Sequence, residues 1–130
     1  MNEIQLLYID LFCGAGGTSS GVEFARYKNA KCAKVIACVN HDKNAILSHA
    51  ANHPDVMHFT EDIRTLELSP LVDHLKKMKA KHPNARVALW QAWNVPISAR
   101  PKVASRVMPT AGHWQSIYFD TLKRSILIIS

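Results

Sequence analysis

The sequence predicts an α/β fold: an open, doubly wound, mostly parallel sheet of at least four strands. Three observations point there. Short apolar runs such as Leu6–Phe12 and Lys34–Val39 contain no Gly or Pro and read as strands buried on both faces. Stretches with helical spacing of apolar residues separate these runs, and strands alternating with helices build parallel sheets. A glycine-rich turn, Gly14, Gly16 and Gly17, directly follows the first strand and leads into Thr18, Ser19 and Ser20.

Taken in order, the first strand spans Leu6 to Phe12. Glycines let the following backbone turn sharply and come close to a ligand. Thr18, Ser19 and Ser20 offer N-cap hydroxyls to a helix continuing through Gly21 to Arg26. Its free amides would favour a carboxylate or phosphate. Val22, Phe24 and Ala25 are expected to face the sheet, and Tyr27 to Lys31 to form a turn. The second strand, Lys34–Val39, is rich in β-branched residues. It ends at Asn40-His41-Asp42, where the ligand crevice of an open α/β sheet lies. Asn40 and Asp42 could equally cap the next helix, Asp42–Ala51, in which Ala45, Ile46, His49 and Ala50 recur at helical spacing. His49 and His53 are four apart, but no further ligands lie close in sequence, so a packing or surface role outweighs a metal pair. Val56–Phe59 is a short third strand. Ser69-Pro70 opens a third helix whose apolar face is Leu71, Leu75 and Met78. Lys76, Lys77, Lys79 and Lys81 cover its other side, more simply a solvated face than a DNA contact. Arg86–Trp90 is the fourth strand.

The chain has 130 residues, enough for one domain. Its formal net charge is +6, which suits a polyanionic partner. The charge is uneven. Residues 1–90 carry 11 Lys and Arg against 9 Asp and Glu, and residues 91–130 carry 5 against 1. Cys13, Cys32 and Cys38 form no metal-ligand or disulfide spacing pattern, which favours a reducing compartment and no metal. No signal-peptide pattern or membrane-length apolar run is present, so a soluble, cytoplasmic protein without a membrane partner is expected.

The glycine pattern is not a clean dinucleotide fingerprint, because the third glycine would fall at Ser19. The whole string Asp10-Leu11-Phe12-Cys13-Gly14-Ala15-Gly16-Gly17, with Gly21 after it, closely resembles the first motif of DNA cytosine-5 methyltransferases. The resemblance covers about residues 4–90. It implies an incomplete Rossmann-like domain that binds S-adenosylmethionine (SAM), DNA as partner, and a place in DNA methylation or restriction-modification. By resemblance, Phe12 packs near the cofactor adenine, and the backbone of the loop from Asp10 through Cys13, Gly14, Gly16 and Gly17 holds the methionine part. Asn40 takes the place of the family's ribose-binding acid and His41 that of an adenine-packing aromatic. Both depart from the usual residues. Asn40 can still hydrogen-bond a hydroxyl and an imidazole can still stack. Asp42 competes for the ribose if the register slips. Asp62 and Ile63, after the third strand, take the roles of the acid that accepts from the adenine amino group and the residue packed on the ring.

After Trp90 the family pattern stops. The family's catalytic cysteine, which attacks C6 of a flipped-out cytosine, should follow this strand. The chain reads Gln91-Ala92-Trp93-Asn94-Val95-Pro96-Ile97-Ser98, and no cysteine follows Cys38. A single base restored after the Trp90 codon, with suitable synonymous codons, changes the reading to W-A-S-L-E-C-T-N-F-S-K-A-K-G-G-Q. That text returns a cysteine just past the fourth strand and resembles the catalytic loop of phage-like family members. Residues 1–90 are therefore expected to be the SAM-binding amino-terminal region, and residues 91–130 a frameshifted tail, poorly ordered or packed without a native plan. Sequencing the coding DNA tests this, since codons incompatible with the shift remove it. The expected protein is a truncated methyltransferase with no catalytic residue, no methyl transfer, and weak or absent SAM binding. Two other readings stay open: an NAD(P)-type oxidoreductase, and a non-enzymatic DNA-binding module using the basic tail.

Overall fold

The computed structural model describes residues 3–91. Strand β1 (Leu6–Leu11) leads to helix α1 (Gly17–Phe24) and a small hairpin of β2 (Arg26–Tyr27) and β3 (Ala30–Lys31). Strand β4 (Ala33–Val39), helix α2 (Lys43–Asn52), strand β5 (Met57–Phe59), helix α3 (Leu68–Lys81) and strand β6 (Arg86–Gln91) follow. The main sheet has the order β5-β4-β1-β6, and every neighbouring pair in it is parallel. The chain steps outward from β1 through β4 to β5, then crosses back to the far side of β1 for β6. This reversal makes the sheet doubly wound, and ligands of such sheets bind beyond the carboxyl ends of the strands near it. The tail beyond Gln91 lies outside the described residues. Among the described residues, no helix is long and apolar enough to cross a membrane.

Side chains of β1 alternate between the two faces. Leu7, Ile9 and Leu11 join Ile36, Ala37, Val39, Leu71, Leu75 and Met78 in one buried cluster beneath α3. Tyr8 joins Cys13, Val35, Cys38, Ile46 and Val56 on the face covered by α1 and α2. The register between β1 and β4 slips once: Tyr8 pairs with Val35, but Ile9 pairs with Ala37. Ile36 is thus an extra residue, a β-bulge in a parallel pair. Its carbonyl accepts from His74 Nε2 of α3 at 3.0 Å, so the disturbed ladder leaves no orphan there. The bulge has a further effect. It brings Cys38 opposite Asp10, so both point toward α1 and α2.

Several local expectations are corrected. The first strand ends at Leu11, because Phe12 turns to φ 64°. No hydroxyl of Thr18, Ser19 or Ser20 caps α1: its N-cap is Gly16, and no side chain bonds there. Ser19 is drawn inward to Asp10 instead. The helix stops at Phe24, whose ring is 76% exposed rather than facing the sheet, and Ala25 is its C-cap. The expected turn at Tyr27–Lys31 is a two-residue hairpin, with Lys28 (φ 49°) and Asn29 (φ 63°) both left-handed, as a type I′ turn requires. Glu23 of α1 anchors that hairpin through an ion pair with Lys31 and by accepting from the Val35 amide. Helix α2 runs one residue later than expected, from Lys43 to Asn52. Asp42 is its N-cap, its Oδ1 accepting from the amides of Asn44 and Ala45, which realises the capping alternative. Helix α3 starts at Leu68, so Pro70 stands third, still in the first turn where its missing N–H breaks no helical bond. Lys79 is not simply solvated. Its Nζ donates to the carbonyls of Pro83 and Ala85 and clasps the end of α3.

Candidate cofactor site

The loop after β1 is fixed by backbone geometry. The amides of Phe12 and Cys13 both donate to the carbonyl of Val39, at 2.8 and 3.2 Å, and pin the loop to the end of β4. Phe12, Gly14 (φ 53°) and Gly16 (φ 99°) all take left-handed conformations. Such a conformation is uncommon for a residue with a Cβ, and Phe12 holds it because the two amide bonds at Val39 dictate the path. Gly16 is required twice over: a Cβ there would also lie 2.8 Å from Cδ2 of His49. Gly14 and Gly17 face open space, with nothing within 4 Å of where a Cβ would stand.

Beneath the loop lies a buried polar chain. Ser19 Oγ donates to Asp10 Oδ2 at 2.8 Å. That hydroxyl has one proton, so toward His49 Nε2, 2.9 Å away, it accepts. His49 therefore carries its proton on Nε2, and its Nδ1 lone pair faces His58 Nε2 at 2.9 Å and Cys38 Sγ at 3.6 Å. Ser20 Oγ and His53 Nε2 stand 3.1 Å apart at the rim. Burial pushes the Asp10 carboxyl up, and the Ser19 hydrogen bond opposes that. Burial, then the neighbouring His53 and His58, holds His49 down at about 4, so its ring is neutral near pH 7. The Cys38 thiol, hydrogen-bonded to Cys13 and buried, holds its proton, while the same bond draws the Cys13 thiol down. Tyr8 is raised by burial and by nearby Asp10.

The other expected residues stand at the carboxyl edge. Phe12 packs against the cluster that contains Val39, Phe59 and Ile63. Asn40 is buried, its amide donates to the Phe59 carbonyl at 3.1 Å, and its Oδ1 accepts from the Asp42 amide at 2.9 Å. His41 is exposed. Asp62 is held at about 2, chiefly by Arg64, whose Nε and Nη2 grip both carboxylate oxygens; His41 contributes in the same direction. The structure thus gathers Phe12, Asn40 and Ile63 around the ends of β1, β4 and β5, with His41 and Asp62 near enough to interact at the same edge. Asp10 and Cys13 are set apart from them, turned inward below the loop. A groove of about 550 Å³ opens at the opposite end of the strands, lined by Glu23, Arg26, Lys34, His53 and Asp55 among others, and none of the expected cofactor residues reaches it.

Sequence spacing did not reveal the partners Ser19, His49, His58, Cys38 and Arg64. Arg64, two residues after Asp62, was the one local signal. Nor did it reveal that Cys13, Cys38 and His49 bring three potential ligand atoms within 4.8 Å of one another. No protein-family model matches this chain. No curated protein matches it. Among solved structures it is similar to a crystal structure described as a DNA modification methyltransferase encoded within a prophage of E. coli. The two share 30% identity over 65% of this chain, with a TM-score of 0.43, and the match spans 22% of that chain.

Proposed function

We propose that this chain is the SAM-binding part of a DNA cytosine-5 methyltransferase and that it holds SAM weakly at the carboxyl edge of β1, β4 and β5. The observation that carries the reading is a juxtaposition. The string Asp10–Gly17 resembles the family's first motif, and its Phe12 packs on the same cluster as Ile63, beside which Asp62 stands at the end of β5. In this reading Phe12 and Ile63 sandwich the adenine, and Asp62 accepts from its amino group. Asn40 bonds the ribose, His41 stacks beside it, and the open backbone at Gly14 and Gly17 admits the methionine end. Asp10 and Cys13 act from below, holding the loop.

When bound, SAM supplies an electrophilic methyl group. The nucleophile that would make a cytosine accept it is absent from the sequence given, where no cysteine follows Cys38. Residues 91–130 are read as a frameshifted tail, and the chain is proposed to transfer no methyl group.

Titration of the isotope-labelled full chain with SAM, followed by NMR, tests the proposal. The expected Kd is on the order of 0.1–1 mM, with shifts confined to the loop, Asn40-His41 and Asp62-Ile63. Phe12→Ala and Asp62→Asn should each weaken binding about tenfold, the size of one lost stacking or charged hydrogen bond. NADH shifting these signals while SAM does not would overturn the reading, as would methyl incorporation into DNA for the claim of inactivity.

A further inference from the structure

We propose that Cys13, Cys38 and His49 form a site for a divalent cation of the zinc class, buried between the glycine loop and α2. The three donors come from three elements: the loop after β1, the strand β4 and the helix α2. All three residues are buried, and their ligand atoms lie within 4.8 Å of one another. Cys38 Sγ is 3.6 Å from His49 Nδ1. In a tetrahedral zinc site, with Zn–S near 2.3 Å and Zn–N near 2.0 Å, neighbouring donors stand about 3.5–3.8 Å apart. One edge already has that length, and the others need to close by no more than about 1 Å.

The orientation of His49 is the second argument. Its Nε2–H is committed to Ser19 Oγ, which in turn donates to the buried Asp10 carboxylate. This leaves Nδ1 without a proton, its lone pair facing His58 Nε2 at 2.9 Å and Cys38 Sγ at 3.6 Å, so a bound ion would take the place of the His58 contact. A metal-binding histidine is held in the same way, its second ring nitrogen donating toward a carboxylate so that tautomer and ring angle are fixed. Here the carboxylate acts through one hydroxyl.

The donor chemistry selects the ion. Two sulfurs and an imidazole suit zinc and reject magnesium and calcium, which take oxygen ligands. The proton balance is simple. The metal binds the sulfurs as thiolates, so Cys13 and Cys38 each release a proton to the buffer, and neutral His49 releases none. A bound ion would tie the loop to β4 and α2 from beneath. Nothing in this depends on SAM, and the assay contains none.

The test uses the full chain, reduced with a non-chelating phosphine. Zinc alone is titrated calorimetrically in two buffers of different ionisation enthalpy, and cobalt(II) alone by absorption. Expected are one ion per chain, two protons released, and tetrahedral cobalt bands with a thiolate-to-metal charge-transfer band. Cys38→Ser and Cys13→Ser should each weaken binding by about 100-fold and cut the charge-transfer band to about half. Circular dichroism identifies any variant that fails to fold, and either folded variant suffices. Cys32→Ser, whose thiol lies outside the cluster, should bind as the unmodified chain does. No binding at tens of micromolar zinc, or loss of binding in Cys32→Ser with retention in Cys13→Ser and Cys38→Ser, overturns the proposal.

Discussion

On the α3 face of the sheet, Leu7, Ile9, Leu11, Ile36 and Val39 meet Leu71, Leu75 and Met78, all buried. On the α1 and α2 face of the same strands, the buried set includes Asp10, Ser19 and His49, with Cys13 and Cys38 beside them. Adjacent residues of β1 serve the two sides. Leu11 fills one core, while Asp10 begins the polar chain in the other. The first face gains from water exclusion alone, about 1.5–3 kcal/mol for each large side chain. The second must pair the polar groups it buries, because an unpaired one costs about 1–3 kcal/mol, and it does so for Asp10, Ser19 and His49 but not for the Tyr8 hydroxyl. The contrast teaches that one sheet divides the labour. The apolar face sets where the strands lie, and the polar face sets the shape and chemistry of the loop that crosses their ends.

The largest effect that would break this contrast is a cavity on the apolar face. Leu71→Ala, at a fully buried position, should cost about 3 kcal/mol in urea unfolding. It should lower stability equally at every pH, leaving the polar face's titration untouched. A loss that varied with pH would show that the two faces are not separable.

A smaller effect comes from acid. His49 titrates at about 4 in the folded chain, below its ordinary value of 6.5. The unfolded chain therefore binds the proton first as pH falls. Stability is complete above about pH 6.5 and declines toward pH 4, by about 2 kcal/mol at pH 5. His58 is shifted the same way, chiefly by burial, and adds to the slope. Unfolding with a chelator present, measured between pH 7 and pH 4.5, checks this. A flat profile across that range would mean the histidine chain is not held neutral by folding.

The smallest effect is expected at the carboxyl edge, where Asp62 and Arg64 pair at the surface. Arg64→Gln should leave Tm at pH 7 unchanged, since exposed pairs contribute little to folding. The Asp62 carboxyl should rise from about 2 toward the ordinary carboxylate range, read by an NMR pH titration. A drop in Tm of several degrees would place this pair among the structural elements and blur the division between core and edge.

Much of the fold was legible because strand and helix periods are local properties. The runs Leu6–Phe12, Lys34–Val39 and Arg86–Trp90 became β1, β4 and β6 with shifts of one residue at their ends. Leu71, Leu75 and Met78 are buried as their spacing required. Caps were less legible. Ser19 has the chemistry of an N-cap, and only the arrival of Asp10 beneath it decides that the hydroxyl turns inward.

The sequence by itself determined the α/β alternation and the glycine turn, since these follow from periodicity and from the conformations each residue permits. Tertiary structure alone decided which thiols and imidazoles share a site. Cys38 reaches Asp10's side of the sheet through the extra residue Ile36. His49 meets Ser19 because α2 packs beside α1 on that face. A one-residue slip turns side chains to the opposite face, and no period in the chain records it.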